Sequence, residues 1–179
     1  TGITGIQDSK FTVIATLGKF SKQTTNNFTH TINNFNPLEE PELTRKNHPD
    51  FLRKDHNNYS IPPGDWVIDK PLVIHGNLSI GSSTTLRFSE NSYLIVKGSV
   101  LMDAKENKSP IIMRGLKSKW KGFYILGGTT TSKINNVIIK NATYLQDGIL
   151  ALSGALNIYN SNISINNLTI EDITAEDAI

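Results

Sequence analysis

The chain has 179 residues, of which 37% are hydrophobic, and it carries 18 basic side chains against 16 acidic ones and no cysteine. A net charge of +2 leaves no overall basic field for nucleic acid, and the absence of cysteine excludes disulfides and thiolate metal sites. Because no stretch approaches the roughly 18 consecutive apolar residues of a membrane span, we expect no membrane span in this chain.

Residues 1–60 differ in composition from the rest and predict an N-terminal cap or flanking segment. Residues 11–17 alternate β-branched and apolar side chains, which predicts one strand. Residues 21–36 are mostly polar and predict a loop. Residues 36–43 combine prolines and glutamates that suit the first turn of a short helix.

Three of the four histidines also fall in this region. His30, His48 and His56 lie near Asp50 and Asp55, which is one way to build a metal or acid/base site. They lack the i, i+4 spacing of ligands on one helix face, however, and this favours solvated side chains on surface loops.

The spacing of apolar residues changes after residues 61–64 (Ile-Pro-Pro-Gly), which predicts a domain boundary there. Beyond it, short apolar triplets alternate with Gly, Asn, Ser or Pro turns, and the first and third side chains of each triplet share one face of a strand. Eight such triplets begin at Trp66, Leu72, Leu78, Leu86, Leu94, Val100, Ile111 and Phe123.

The spacing of these triplets indicates how the strands are arranged. Leu72 and Leu94 are 22 residues apart (94 − 72), as are Leu78 and Val100 (100 − 78). A step of this size fits one coil of a parallel β-helix, in which each strand pairs with its equivalent in the next coil about 4.8 Å away.

An internal repeat supports the same architecture. Residues 134–143 recur as residues 165–174 at an offset of 31 (165 − 134), and each copy reads apolar, Asn-Asn, then apolar residues two apart. A unit so short must stack on copies of itself to bury its apolar face. Asn136 and Asn167 are equivalent; asparagine tolerates the left-handed backbone of a tight turn and can hydrogen-bond to its copy.

These patterns predict an all-β chain in which residues 61–179 form a single-stranded right-handed parallel β-helix, a solenoid of roughly four to five coils. An immunoglobulin-like sandwich would need longer strands joined by hairpin turns, and Asp147-Gly148 is the one dipeptide of this half typical of such a turn. The side chains expected to point inward are Ile74, Ile80, Phe88, Val96, Val137, Ile139, Ile158, Ile165, Leu168 and Ile170.

Four segments resemble a succession found in bacterial exported proteins of the pectin-lyase-like superfamily. They are residues 98–104 (GSVLMDA), 109–113 (SPIIM), 120–125 (WKGFYI) and 132–137 (SKINNV). The resemblance implies a right-handed parallel β-helix over residues 61–179 and a location outside the cell or at its surface, with the periplasm as the alternative. It does not imply a reaction, because one fold supports many functions.

A cluster of cations around one tryptophan is the first candidate site. Eight basic residues lie between Arg87 and Lys121, against three acidic ones. The candidate residues for binding an acidic polysaccharide are Arg114, Lys117, Lys119, Trp120 and Lys121, in which the cations attract the acid groups and the indole stacks on a sugar. Alternation through residues 120–124 places Trp120 and Gly122 on one face, which favours an inward Trp120.

A run of acids near the end is the second candidate site. Glu171, Asp172, Glu176 and Asp177 lie within seven residues, where neighbouring coils can bring two carboxylates together for acid/base catalysis or for calcium. The competing interpretation is a set of solvated turn residues. Carbohydrate lyases of the resembled superfamily pair calcium-binding acids with an Arg or Lys base, and no Lys or Arg follows Lys140.

The sequence therefore favours a non-catalytic module, structural or carbohydrate-binding, of an exported or cell-surface bacterial protein. The alternative is a polysaccharide lyase or glycoside hydrolase acting on an acidic glycan. We expect no cofactor other than calcium, a polysaccharide or cell-surface glycan as partner, and no nucleic acid. Since Ile179 ends an apolar strand without a capping segment, we also expect the β-helix to continue into further domains of a longer chain.

Overall fold

A computed structural model describes the backbone of residues 6–17, 20–31, 49–105, 108–147 and 150–179, and side chains from residue 49 onward, except at 147 and 150. These residues are all-β and contain no helix. Their sheets are mixed, because antiparallel hairpins accompany parallel pairs. Within these residues, no helix is long and apolar enough to cross a membrane.

The first compact unit, Thr1–Glu39, contains one antiparallel strand pair. Strands β1 (Ile6–Leu17) and β2 (Phe20–Thr31) pair from Leu17↔Phe20 to Ile6↔Thr31. The strand predicted at residues 11–17 is confirmed and begins earlier. The loop predicted at residues 21–36 is wrong as far as residue 31, because threonine-rich segments suit strands when a partner satisfies their backbone. The predicted helix at residues 36–43 lies outside the described residues, as do His48 and the His30 side chain.

The second unit, Glu40–Ile179, contains the other fifteen strands. All eight apolar triplets fall within strands β5 to β12, so these predictions are confirmed. The strands are β3 (Arg53–Asp55), β4 (Asn58–Ile61), β5 (Gly64–Ile68), β6 (Leu72–Ile74), β7 (Asn77–Ile80), β8 (Thr84–Phe88), β9 (Leu94–Val96), β10 (Val100–Asp103), β11 (Ile111–Gly115), β12 (Phe123–Leu126), β13 (Ser132–Lys140), β14 (Leu145–Asp147), β15 (Leu150–Leu152), β16 (Leu156–Tyr159) and β17 (Ile163–Glu171).

Parallel pairing arranges most of these strands in three rows. The first row is β4, β7, β10 and the start of β13; the second is β5, β8, β11 and the end of β13; the third is β6, β9, β12 and β16. Strand β17 pairs with β13 along both halves. The predicted 22-residue steps are confirmed, because Leu72 pairs with Leu94 and Val100 with Leu78.

The repeat at offset 31 is confirmed as a pairing of β13 with β17. Ile134 lies opposite Ile165, and each strand bends at an asparagine with positive φ, 55° at Asn136 and 51° at Asn167. The Asn167 amide donates to the Asn136 Oδ1 at 3.1 Å, which confirms the predicted ladder. The adjacent pair repeats it, since the Asn166 amide donates to Asn135 at 2.9 Å.

The apolar side chains that the three rows share form one core. Six of the ten side chains predicted to point inward are at most 2% exposed: Ile74, Ile80, Phe88, Val96, Val137 and Ile139. Ile158, Leu168 and Ile170 are half-buried and pack against that core. Ile165 is 40% exposed, which contradicts the prediction. It takes the position of the buried Ile134, but β17 pairs with β13 on one side only, so one side of Ile165 stays uncovered.

A second group of buried side chains, here called the outer layer, is separate from this core. Its six apolar members are Val73, Tyr93, Ile95, Tyr124, Leu145 and Leu152. Val73, Ile95 and Tyr124 are register neighbours at the middle of third-row triplets, so they face away from the core. Tyr124 interacts with the Leu145 backbone, which places β14 beside this outward face.

Candidate functional site

Three cations lie next to one another on the second row. Arg114 of β11 is in register with Arg87 of β8 on one side and with Lys140 of β13 on the other. Neighbouring strands are about 4.8 Å apart, and like charges placed opposite each other destabilise a sheet. We call these three residues the cation ladder.

The two outer members of the cation ladder are neutralised, whereas the central one is not. Arg87 Nε lies 2.6 Å from Asp65 Oδ1, and Lys140 forms an ion pair with Glu171. Arg114 is exposed and forms no ion pair within the described part of the chain. The arrangement therefore leaves one positive charge, flanked by two others, available to an anion.

A groove opens beside Arg114. It encloses about 380 Å³ and is lined by Arg114, Lys117 and Lys119, together with the polar side chains of Ser118 and Asn141 and two further residues of the loop. No carboxylate is among its lining residues. We call it the basic groove; its composition suits a ligand that carries carboxylate or sulfate groups.

Backbone contacts hold the loop that forms the basic groove. The Leu116 amide donates to the Phe88 carbonyl at 2.7 Å, and the Trp120 amide donates to the Asn141 carbonyl at 3.0 Å. Gly115 turns the chain so tightly that a Cβ atom there would lie 1.8 Å from the Ser118 carbonyl oxygen, which excludes any side chain. The cations are thus presented by a fixed loop.

Trp120 is fully buried beneath this loop. Its ring stacks on Phe88 with centroids 3.9 Å apart and planes 12° apart, and its Nε1 donates to the Lys140 carbonyl at 2.9 Å. The proposed sugar-stacking role of Trp120 is therefore wrong, because no face of the indole reaches solvent. The inward orientation indicated by the alternation is confirmed, and Trp120 positions the loop.

Lys121 points elsewhere than the other candidate cations. It does not line the basic groove, and its Nζ lies 5.9 Å from the centroid of the Tyr144 ring. Its backbone amide donates to the Ser92 carbonyl at 2.9 Å. Lys121 thus lies near Tyr144, which lines a second cleft.

The four acidic candidates have different surroundings. Glu171 pairs with Lys140, Asp172 is exposed in a turn with a φ of 55°, Glu176 lines the second cleft, and Asp177 forms a backbone bridge with Gly154. In the described ranges, no three His, Cys, Asp or Glu residues come together in a way that could hold a metal ion. His56 and Asp55 form an exposed 2.7 Å contact at the β3–β4 turn.

Asp103 and Tyr124 both have shifted pKa values, and neither of them lines the basic groove. Hydrogen bonds from Lys133 Nζ at 2.7 Å and Asn135 Nδ2 at 2.8 Å hold the pKa of Asp103 below its ordinary value of 3.8. Burial raises the pKa of Tyr124, whose hydroxyl donates to the Lys121 carbonyl. At neutral pH, Asp103 is therefore held ionised and Tyr124 is held neutral.

Sequence reasoning missed the two neighbours of Arg114 in the cation ladder. Arg87 and Lys140 lie 27 residues before it (114 − 87) and 26 after it (140 − 114), and loops of unequal length separate them. The available signal was the position of each cation, since all three directly follow a residue of the inner core. Only strand register shows that they are neighbours.

Comparisons with protein-family models, with curated proteins and with solved structures each found no match for this chain. The resemblance to pectin-lyase-like proteins therefore stays a prediction from the residues.

Proposed function

We propose that residues 61–179 form a right-handed, single-stranded parallel β-helix. The three rows of in-register parallel strands support this arrangement, as does the pairing of the repeat in β13 with its copy in β17. Right-handedness follows from the strong preference of parallel crossover connections for that hand. Strand β3, which pairs antiparallel with β4 of the first row, and the hairpin β14–β15 are then additions to the coils, which accounts for the mixed sheets.

On this scaffold, the function that the geometry supports best is non-catalytic binding of an acidic polysaccharide. The observation that carries it is Arg114, which is exposed, unpaired among the described residues and flanked in register by Arg87 and Lys140. An anionic ligand would give Arg114 the counter-charge that Asp65 gives Arg87 and Glu171 gives Lys140. The basic groove beside Arg114 supplies Lys117 and Lys119 to the same ligand.

An extended polymer fits this surface better than a small anion does. Arg114, Lys117 and Lys119 line one groove, and none of them forms an ion pair among the described residues. A polymer with repeated acid groups can pair with several of these cations at once, whereas a small anion cannot. We place the module in an exported or cell-surface bacterial protein, in keeping with the sequence resemblance and with a chain that lacks cysteine.

Calorimetric titration with polygalacturonate and alginate, and with uncharged dextran as reference, tests the proposal. The acidic polymers should bind and dextran should not, with affinity falling as salt rises because the contacts are charged and exposed. The double substitution Arg114→Ala with Lys117→Ala should weaken binding by at least about tenfold. The matched control, Lys54→Ala with Lys70→Ala, removes the same charge elsewhere and should leave binding nearly unchanged.

The same preparations separate binding from catalysis. We expect neither new reducing ends nor unsaturated products from these polymers. Turnover that Asp172→Asn or Asp177→Asn abolishes would establish the alternative, a lyase or hydrolase that uses the carboxylates near the end of the chain. Equal affinity of the two double variants for the acidic polymers would remove the basic groove as the binding surface.

A further inference from the structure

A second cleft lies beside β14 and β15 and encloses about 460 Å³. Small-ligand sites typically enclose about 300–1,000 Å³. Leu145 and Leu152, which face each other across the antiparallel pair, contribute buried apolar side chains to its lining. We call this space the tyrosine cleft, because Tyr144 and Tyr159 also line it.

Both tyrosines offer ring surface to solvent. Tyr144 is 47% exposed and Tyr159 is 50% exposed, and they are the aromatic members of the set of large apolar side chains exposed in the described part of the chain. An exposed aromatic ring at the wall of a cavity provides a flat apolar face with a polar hydroxyl tip. Two such rings at one cavity form a surface on which a flat, amphipathic ligand can stack.

The other walls of the tyrosine cleft are polar and carry one charge. Gln146, Ser153, Thr174 and Glu176 line it, and Glu176 is its single charged lining residue. Backbone hydrogen bonds fix this wall: the Glu176 amide donates to the Ser153 carbonyl at 3.2 Å, and the Thr174 amide donates to the Ala142 carbonyl at 3.0 Å. A preformed wall costs little ordering when a ligand binds.

We propose that the tyrosine cleft is a binding site for an uncharged sugar ring. A pyranose presents C–H groups on its faces, which match the tyrosine rings, and hydroxyl groups on its rim, which can donate to the Glu176 carboxylate and the Gln146 amide oxygen. Glu176 repels acid groups, so the preferred ligand differs from that of the basic groove. The two sites share no lining residue.

Titration of the full chain with neutral hexasaccharides tests this site apart from the basic groove. The probes are cellohexaose, xylohexaose, mannohexaose and maltohexaose, with trigalacturonate and decaproline as competing ligand classes. At least one neutral probe should bind at concentrations up to about 10 mM. Tyr159→Ala and Tyr144→Ala should each weaken that binding about tenfold, Tyr159→Phe should weaken it less, and Glu176→Gln should weaken it about threefold.

Two controls make the outcome decisive. Leu101→Ala removes an equally exposed apolar side chain (49%) from the first row and should leave sugar binding unchanged, as should Arg114→Ala with Lys117→Ala. The proposal is overturned if no neutral probe binds, if Tyr159→Ala and Tyr144→Ala bind like the parent chain, or if trigalacturonate or decaproline occupies the cleft in preference to every neutral sugar. Loss of acidic-polymer binding alone would leave this site intact.

Discussion

The inner core and the outer layer are buried by different kinds of segment. In the core, equivalent positions of successive strands repeat the same apolar character, so that Leu72, Leu94 and Phe123 follow one another along a row. In the outer layer, a hairpin and a loop of irregular length cover part of one outward face. The comparison indicates that repeated apolar positions along the rows stabilise the fold, whereas exposed strand positions such as Arg114 and the irregular segments between strands form the candidate binding surfaces.

Trp120 in the core and Tyr144, an exposed neighbour of Leu145 in the outer layer, should show the largest contrast in stability. Trp120→Ala removes a fully buried ring that stacks on Phe88, so we expect a loss of about 3–5 kcal/mol in the free energy of unfolding. Tyr144→Ala removes a half-exposed ring and should cost no more than about 1 kcal/mol. Urea unfolding of both variants measures the difference. Equal losses would show that the exposed ring of Tyr144 contributes as much to stability as the buried ring of Trp120.

Ile134 and Ile165 sharpen the comparison within one pair of strands. They are register partners of the same residue type, but Ile134 is 1% exposed and Ile165 is 40% exposed. Ile134→Ala should cost about 2–5 kcal/mol and Ile165→Ala about 1 kcal/mol, because coverage alone differs. The measurement is the urea midpoint of each variant, compared when the dependence of the free energy of unfolding on urea is the same for both. A larger loss at Ile165 would mean that β17 is covered in solution.

Loss of the hydrogen bond between Asn136 and Asn167 should have a smaller effect on stability. Two substitutions of Asn136 can separate the contribution of its side chain from that of its backbone conformation. Asn136→Ala loses the side-chain contacts and puts alanine at a φ of 55°, so we expect a cost of about 1–2 kcal/mol. Asn136→Gly loses the same contacts but accepts the backbone, and it should recover part of that cost. Thermal unfolding of the two variants measures the share that belongs to the backbone. If Asn136→Gly is the less stable of the two, the backbone explanation is wrong.

Substitution of Asp103 should have the smallest effect on the free energy of unfolding. The informative measurement is how that free energy depends on pH. Hydrogen bonds from Lys133 and Asn135 lower its pKa in the folded state, so their stabilisation is fully present above the ordinary value of 3.8 and is lost as pH falls through the lower folded value. Asp103→Asn should therefore flatten the dependence of unfolding on pH in this acid range. Urea midpoints at neutral and acid pH test this. An unchanged acid profile would show that other carboxylates dominate it.

Much of the core could be predicted from the sequence, because its signal is local and periodic. The apolar triplets, the 22-residue steps and the Asn136–Asn167 ladder were all recoverable from spacing. The outer layer was not, since β14 and β15 follow no repeat. Asp147-Gly148 was the one signal for a hairpin there, and Leu145–Asp147 does pair antiparallel with Leu150–Leu152.

The candidate site could be predicted only in part, for a related reason. Arg114, Lys117 and Lys119 were identified from charge density, and they do line one groove. Their grouping with Trp120 failed although alternation already favoured an inward indole, because the ring that stacks on it, Phe88, comes from an earlier strand and gives no local signal. Arg87 and Lys140 were missed as partners because unequal loops hide strand register.

We propose that the core strands stabilise the fold and that the basic groove binds the polymer. Hydrogen exchange with and without polygalacturonate tests this most directly. Without polymer, amides of β9, β10 and β12 should exchange most slowly, and those of residues 117–119 much faster. With polymer, protection should rise at residues 114–119 and change little in the first row. If the polymer instead increases protection at β7 and β10, or increases it at no residue, the proposal that the basic groove binds the acidic polysaccharide is contradicted.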